Sequence, residues 1–267
     1  MKNKKITIIG AGNMGGAIVN GLLKSGFVSA SDISVADRKE SVLLQMKEKG
    51  VNVFQNNLEA LKGAGTVILA VKPYHTETVI KEIKPALNPE KILISIIAGV
   101  GIGQLEEMIG EGIPIFRAMP NTAISLQESL TCVSVNGNTA PYRDYIIELF
   151  DSLGKTVVIP EELMAAATVL TSCGIAFALR YMRAAMQGGI EIGFGAEMAQ
   201  FITAQTVKGA AELILKTEHH PEREIDKVTT PRGVTITGLN EMEHKGFSSS
   251  LIQGLMASFK KIDQPLQ

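Results

Sequence analysis

The sequence predicts an α/β protein in which a doubly wound parallel sheet is followed by an all-helical segment. Three observations predict it. Short apolar runs alternate with helical stretches as far as Pro160. A glycine-rich turn joins the first of those runs to the first helix, and after Pro160 the β-branched runs stop. Alternating strand and helix is the pattern of a sheet with helices on both faces, and strands apolar throughout are those covered on both sides.

Taken in order, strands are expected at Ile6–Gly10, Ile33–Ala36, Val51–Phe54, Thr66–Val71, Ile92–Ile96 and Ile113–Arg117, then at Thr131–Val135 and Thr156–Ile159. Helices fall between the first six, near 13–25, 39–49, 57–62, 75–87 and 102–110. Beyond Pro160 the main helices are expected over 161–190, 196–217 and 248–262, with shorter ones near 222–228 and 234–245. This divides the chain into a sheet domain, 1–160, and a helical domain, 161–267. The second is so apolar that it is expected to bury its surface against the sheet domain or a second subunit.

A length of 267 residues fits one large domain or two modest ones. With 45% apolar and 20% charged residues, the composition is that of an ordinary soluble protein. A net charge of −1 excludes a broad basic field for nucleic acid or a polybasic membrane patch. Cys132 and Cys173 lie far apart and read as small buried side chains in a reducing cytosol. His75, His219, His220 and His244 show no metal-ligand spacing, so no metal is expected. The apolar run after Lys5 is too short for a signal peptide. Leu163 to Leu179 carries no charge and approaches the length of a membrane span. It is rich in Ala, Ser and Thr, however, and Arg180 and Arg183 follow it, so burial within a protein or dimer is expected instead. The expected location is the cytoplasm.

The most informative segment is Gly10-Ala11-Gly12-Asn13-Met14-Gly15, a Gly-x-Gly-x-x-Gly between strand and helix. The first glycine permits a tight turn, the second lets backbone approach a pyrophosphate, and the third lets helix and strand pack closely. The helix N-terminus then offers free N–H groups to the anion. A lone pattern of this kind is weak; strand, turn and helix in register make it a Rossmann-type dinucleotide site. Asp37 ends the second strand, where an acidic residue holds ribose hydroxyls, but Arg38 beside it suits the 2′-phosphate of NADPH. NADPH and NADH both remain open, as does a reading in which Asp37 is a turn or cap residue and Arg38 is solvated. Lys72, after Leu69-Ala70-Val71, faces the phosphates, the nicotinamide or an acidic substrate, or is a solvated loop lysine. Ala98-Gly99-Val100 would let a flat ring lie close. Asn121 offers a donor and an acceptor to a carboxamide, or forms a Pro-Asn turn followed by Thr122 as helix cap.

These segments, with Arg117-Ala118-Met119-Pro120-Asn121-Thr122, come in an order and spacing that resemble pyrroline-5-carboxylate reductases. The C-terminal half adds His220-Pro221, Val228-Thr229-Thr230-Pro231-Arg232-Gly233-Val234-Thr235-Ile236-Thr237-Gly238-Leu239, Glu243 and Gly246-Phe247. That run is similar to the family pattern Val-[Ser/Thr]-Ser-Pro-Gly-Gly-Thr-Thr-Ile-x-Gly-Leu. The resemblance implies a Rossmann-type domain holding the nicotinamide and an all-helical dimerisation domain that forms an interlocked homodimer, in some members assembled into rings of ten. It also implies hydride transfer from NAD(P)H to the C=N carbon of 1-pyrroline-5-carboxylate, the last step of proline biosynthesis.

By the same resemblance, the cofactor residues are Gly10, Ala11, Gly12, Asn13, Met14, Gly15, Asp37, Arg38, Asn57, Ala70, Val71, Lys72, Pro73, Ala98, Gly99 and Asn121. The substrate residues are Ser172, Cys173, Gly174, Ala176, Thr229, Thr230 and Thr235. Thr235 or Thr230 is expected to partner the ring nitrogen as it becomes an amine, since a hydroxyl can donate or accept, Glu218 to balance an iminium or to be a solvated helix-end charge, and Lys72 to assist. Two departures stand out. The family's Ser-Gly-Ser-Gly-Pro-Ala, a helix break whose N–H groups hold the substrate carboxylate, is here Thr171-Ser172-Cys173-Gly174-Ile175-Ala176. Isoleucine restores an N–H that proline lacks, so a nest of altered shape is expected. Arg232 stands where the pattern has glycine. If φ is positive there, arginine costs about 1 kcal/mol or more; if φ is ordinary, it adds a positive charge near an anionic substrate. These departures keep two further readings in play: a reductase of a related cyclic imine, and a cofactor-binding regulatory homologue without turnover.

Overall fold

The structure is a computed structural model that describes residues 5–137 and 139–262. Eight strands form one sheet: β1 (Ile6–Ile9), β2 (Ile33–Ala36), β3 (Asn52–Phe54), β4 (Thr66–Leu69), β5 (Ile92–Ser95), β6 (Ile115–Met119), β7 (Ser129–Val135) and β8 (Gly154–Val158). Their spatial order is β3-β2-β1-β4-β5-β6-β7-β8. Every pairing is parallel except β6 with β7. Strands β1, β4 and β5 are buried at every position, as runs rich in Ile, Val and Leu with a single Thr or Ser each dictate for strands covered on both faces.

Helices α1 (Asn13–Ser25), α2 (Glu40–Lys47), α3 (Asn57–Ala60), α4 (Thr76–Ile83), α5 (Ile102–Ile109) and α6 (Arg143–Asp151) cover the two faces. One apolar cluster joins Ile18, Val19 and Leu22 of α1 to Leu43 and Met46 of α2 and to Tyr145, Ile146, Leu149 and Phe150 of α6. The opposite cluster joins Ile80 and Ile83 of α4 to Ile102, Leu105 and Ile109 of α5. These two clusters are the two windings of the doubly wound sheet.

The sequence reading placed no helix at 143–151. Two parallel neighbours need a crossover, and α6 supplies it between β7 and β8. Strand β6 also lies further along than expected, ending at Met119, because its antiparallel pairing with β7 carries it on to the Met119–Cys132 register.

Past β8 the chain runs through α7 (Met164–Ala167), a π-helical turn at Thr168–Cys173, α8 (Gly174–Glu191), α9 (Ala196–Thr217), α10 (Pro221–Val228), α11 (Val234–His244) and α12 (Phe247–Ile262). Internal packing divides the chain into a unit that ends at Cys173, rejoined by the chain from Phe259, and a second unit over Gly174–Ser258. In the second unit α8 and α9 pack as a hairpin, and Gly189 lets Ala199 come close. Among its described residues only Ala199 is buried, while Phe201, Leu215 and Val234 are 67%, 75% and 90% exposed. A helical unit with its apolar side chains outward has no core of its own, and such a surface marks an interaction site. The helical run Glu161–Glu191 is long and apolar enough to cross a membrane by length and composition alone.

Candidate active site

The strands around β1 finish level: Ile9 pairs with Ala36 on one side and Leu69 on the other, and Leu69 pairs with Ser95. Chain order reverses at β1, since β2 lies to one side and β4 to the other. Open α/β sheets bind ligands at such a switch point, beyond the carboxyl ends of the strands. The glycine turn sits there. Gly10 has φ +92°, and a Cβ on it would stand 2.7 Å from the Ala70 carbonyl oxygen. A Cβ on Gly15 would overlap the Gly10 carbonyl oxygen. Gly12 differs: a Cβ there would meet nothing within 4 Å. Gly12 and Asn13 are exposed at the N-terminus of α1, and Gly12 makes no side-chain cap. Ala11 is buried and Met14 half-buried against the core. Bare amide backbone at a helix N-terminus facing open space fits a pyrophosphate, so these residues fit a dinucleotide.

Asp37 and Arg38 resolve into different roles. Asp37 Oδ2 accepts the Ala11 N–H at 2.8 Å, and its Oδ1 accepts the Lys39 N–H at 2.9 Å. The carboxylate thereby fastens the end of β2 to the glycine turn, which is the turn-residue reading. Arg38 reaches across the end of β1 to His75, Nη2 to Nε2 at 2.7 Å. Lys72 is exposed just beyond β4, and its carbonyl accepts the His75 N–H at 2.9 Å. Ala70 and Val71 wall the glycine turn from the same strand end, and Pro73 opens the short 3₁₀ turn to His75. The sequence reading weighed His75 only as a metal ligand. Its place three residues past Lys72, at the end of the strand beside β1, was the signal that would have put it in the site.

Other expected cofactor residues fare unevenly. Ala98 and Gly99 are exposed past β5, as a flat ring requires. Asn57 lies on α3, where its amide donates to Glu82 of α4 at 2.9 Å. Asn121 is only 6% exposed, and both ends of its side chain are used inside the chain. Its Oδ1 accepts the Ala123 N–H at 3.0 Å, and its Nδ2 donates to the Thr171 carbonyl at 3.5 Å. Asn121, not Thr122, is therefore the cap of the 3₁₀ turn Thr122–Leu126, and its carboxamide is engaged within the chain at both ends.

Glu161 forms a knot that sequence reading missed. Its Oε1 accepts Arg117 Nη1 at 2.8 Å and the Ile102 N–H at 3.2 Å, and its Oε2 accepts the Ser134 hydroxyl. The Arg117 side chain is 8% exposed. Glu161 thus holds the N-terminus of α5, and with it the Ala98–Gly101 loop, to the sheet. No spacing in the chain pairs residues 117 and 161.

Around the expected carboxylate loop the helix does not break. It continues as a π-turn over Thr168–Cys173 and runs directly into α8. Within a continuous helix the N–H groups point back to the preceding turn, so the open nest expected at Ser172–Ala176 is replaced by a π-bulge, a form frequent at functional sites. Ser172 donates its hydroxyl to the Pro120 carbonyl at 2.6 Å. Ser172, Cys173 and Gly174 are half-buried, and Ala176 is exposed.

In the second unit, Glu218 is the C-cap of α9 with φ +55° and is exposed, the helix-end place. Thr229 donates to the Asp226 carbonyl at 3.1 Å. Thr230 to Gly233 form a tight turn: the Gly233 N–H donates to the Thr230 carbonyl at 2.9 Å, Pro231 takes the second place, and Arg232 has φ +60° at the third. That is the arrangement of a type II turn, which favours glycine at the third place, so the strained alternative for Arg232 holds. Thr235 lies exposed in the first turn of α11, and its hydroxyl bonds to no other described residue. No cluster of metal-ligating side chains occurs among the described residues.

A pyrroline-5-carboxylate reductase dimerisation family matches residues 161–264, and an NADP oxidoreductase, coenzyme F420-dependent, family matches residues 5–99. Pyrroline-5-carboxylate reductase 1 of Dictyostelium discoideum is 41% identical over 96% of this chain, which spans about half (49%) of that longer protein. Pyrroline-5-carboxylate reductase 2 of the same organism is 39% identical over 97% of this chain and 92% of its own length. The crystal structure of Plasmodium falciparum pyrroline carboxylate reductase with NADP bound superposes with a TM-score of 0.89 at 28% identity, covering 98% of each chain. With the glycine turn at the switch point and the outward-facing helical unit, these likenesses establish that the chain belongs to the pyrroline-5-carboxylate reductase family.

Proposed function

We propose that this chain is an NADPH-dependent pyrroline-5-carboxylate reductase that completes proline synthesis in the cytoplasm as a homodimer. The observation that carries the reading is similarity along nearly the whole chain to a protein of that name. The glycine turn and an Arg38 that pairs with no carboxylate among the described residues support NADPH over NADH. The outward apolar side chains of residues 174–258 and the dimerisation match support self-association. That match starts at residue 161 and supports a boundary near Pro160, although packing divides the chain a little later, after Cys173.

When bound, the reduced nicotinamide supplies the hydride. The chain's own residues hold and orient. Gly12 and the N-terminus of α1 take the pyrophosphate, Arg38 takes the 2′-phosphate, and the small Ala98–Gly99 segment leaves room for the ring. The protein must bring the imine carbon to about 3–3.5 Å from the donor carbon. For the substrate carboxylate the π-turn offers the side chains of Ser172 and Cys173 beside the small Gly174 and Ala176, and the helical unit separately offers the hydroxyls of Thr229 and Thr230. The Thr235 hydroxyl can donate to or accept from the ring nitrogen as it becomes an amine. Glu218 balances the charge of a protonated imine, and Lys72 draws in the acidic substrate.

Purified protein with NADPH and 1-pyrroline-5-carboxylate tests the reading. Loss of reduced-nicotinamide absorbance matched by proline formed is the expected result. Cofactor binding without turnover would favour the regulatory homologue, and turnover confined to another cyclic imine would favour a related reductase. Light scattering on the same sample measures the dimer and any larger ring.

A further inference from the structure

Arg38 and His75 are 37 positions apart, yet their side chains meet. Arg38 follows β2, His75 closes the 3₁₀ turn after β4, and β1 with its glycine turn runs between them. The pair therefore spans the switch point beside the N-terminus of α1. A guanidinium carries only donors, so the imidazole nitrogen facing it is the acceptor and His75 is neutral in this pair.

A neutral partner has a particular consequence. A carboxylate holding Arg38 would cancel its charge. The nearest in sequence, Asp37, is spent on the Ala11 and Lys39 N–H groups. Arg38 also takes part in no ion pair among the described residues. It therefore keeps its full charge and its remaining N–H donors while its direction is fixed. An exposed arginine otherwise samples many rotamers, and freezing them on binding lowers affinity. The imidazole is itself held. The His75 backbone N–H donates to the Lys72 carbonyl, its ring meets Tyr74 edge-on with centroids 4.4 Å apart, and the next residue, Thr76, is buried.

We propose that His75 is the positioning residue of a 2′-phosphate clamp, holding the Arg38 guanidinium in place so that NADPH is preferred over NADH. The inference rests on the NADPH-dependent reading above and adds to it the residue that sets the preference. His75 acts through Arg38, so its effect belongs to the phosphate-bearing nucleotide and vanishes when Arg38 is absent.

The test is a set of dissociation constants for NADPH, NADH and 2′,5′-ADP with the wild-type protein, His75→Ala, His75→Gln, Arg38→Ala and the double His75→Ala/Arg38→Ala variant. His75→Ala is expected to reduce the NADPH-over-NADH preference about fivefold, the size of an exposed charged contact, and to weaken 2′,5′-ADP in proportion. Glutamine, whose amide oxygen can accept the same hydrogen bond, is expected to restore most of the preference. In the Arg38→Ala background the second substitution should add nothing. Equal changes for both nucleotides, or a His75→Ala effect that survives without Arg38, would overturn the inference and leave the reductase reading standing. A wild-type protein that binds neither nucleotide would overturn both.

Discussion

Asp37 accepts the Ala11 N–H at 2.8 Å, so the carboxylate at the end of the second strand is part of the glycine turn. In many dinucleotide sites an acid at this place holds the ribose; here its oxygens are directed at backbone. Asp37→Ala should leave two backbone donors without their charged acceptor and cost about 1–3 kcal/mol of stability. Because the turn itself loosens, affinity for NADPH and NADH should fall together. Parallel nucleotide titrations and urea unfolding measure both effects. A loss confined to NADH would mean that the carboxylate binds ribose after all.

The three glycines of the turn separate packing from ligand space. A methyl on Gly15 collides with the Gly10 carbonyl oxygen, whereas a methyl on Gly12 meets no protein atom within 4 Å. Gly15→Ala should therefore destabilise the fold by about 2 kcal/mol or more. Gly12→Ala should leave stability within about 0.5 kcal/mol while weakening cofactor binding at least about tenfold, because its methyl takes the phosphate's place. Thermal unfolding beside NADPH titration distinguishes the two. A Gly12→Ala protein that binds NADPH normally would remove the pyrophosphate from this turn.

Glu161, itself half-exposed, pairs with the buried Arg117 guanidinium and fastens the segment after β8 to the sheet. The Arg117 Nε has no partner even in the intact knot. Glu161→Ala leaves the guanidinium uncompensated, and denaturant unfolding should show a loss of about 3–5 kcal/mol. Replacing both residues, Arg117→Met with Glu161→Gln, should cost less than the single change, since no buried charge is then orphaned. A larger loss in the double variant would locate the stabilisation in packing.

How legible this was in the sequence follows from what each feature depends on. The strands could be read to within about two residues because a buried parallel strand must be apolar along its length. Helix α6 leaves a weaker trace. Tyr145, Ile146, Leu149 and Phe150 mark one helical face, but the stretch is short and charged at both ends. The Arg38–His75, Glu161–Arg117 and Asp37–Ala11 contacts were not legible at all. Each joins residues that only the strand order brings together, and local patterning carries no trace of it. The inward turn of Asn121 and the π-turn at Thr168–Cys173 depend likewise on neighbours from elsewhere in the chain.

Arg232 has φ +60° at a place where glycine is relaxed. Arg232→Gly should relieve that strain. The gain is partly offset by the greater freedom of glycine in the unfolded chain, leaving a net stabilisation of about 1 kcal/mol. Denaturant midpoints measure it. If the variant is more stable but binds the substrate carboxylate less well, the strain is retained for the charge. If stability does not rise, the turn is relaxed with arginine in place.

Glu224 offers the clearest pH dependence in the helical unit. Its Oε1 lies 2.6 Å from Lys227 Nζ and 2.6 Å from His219 Nδ1. The hydrogen bond from Lys227, then that from His219, holds the carboxyl below its ordinary range. A lowered folded value means that the charged form is favoured by folding. The contribution is therefore complete above the unfolded carboxylate value of about 4 and is lost as pH falls through the lower folded value. Urea midpoints of the wild-type protein and Glu224→Gln should differ at neutral pH and converge below about pH 4, and added salt should shrink the neutral-pH difference. A difference that persists unchanged into acid would mean that Glu224 stabilises the α10 region by packing and not by charge.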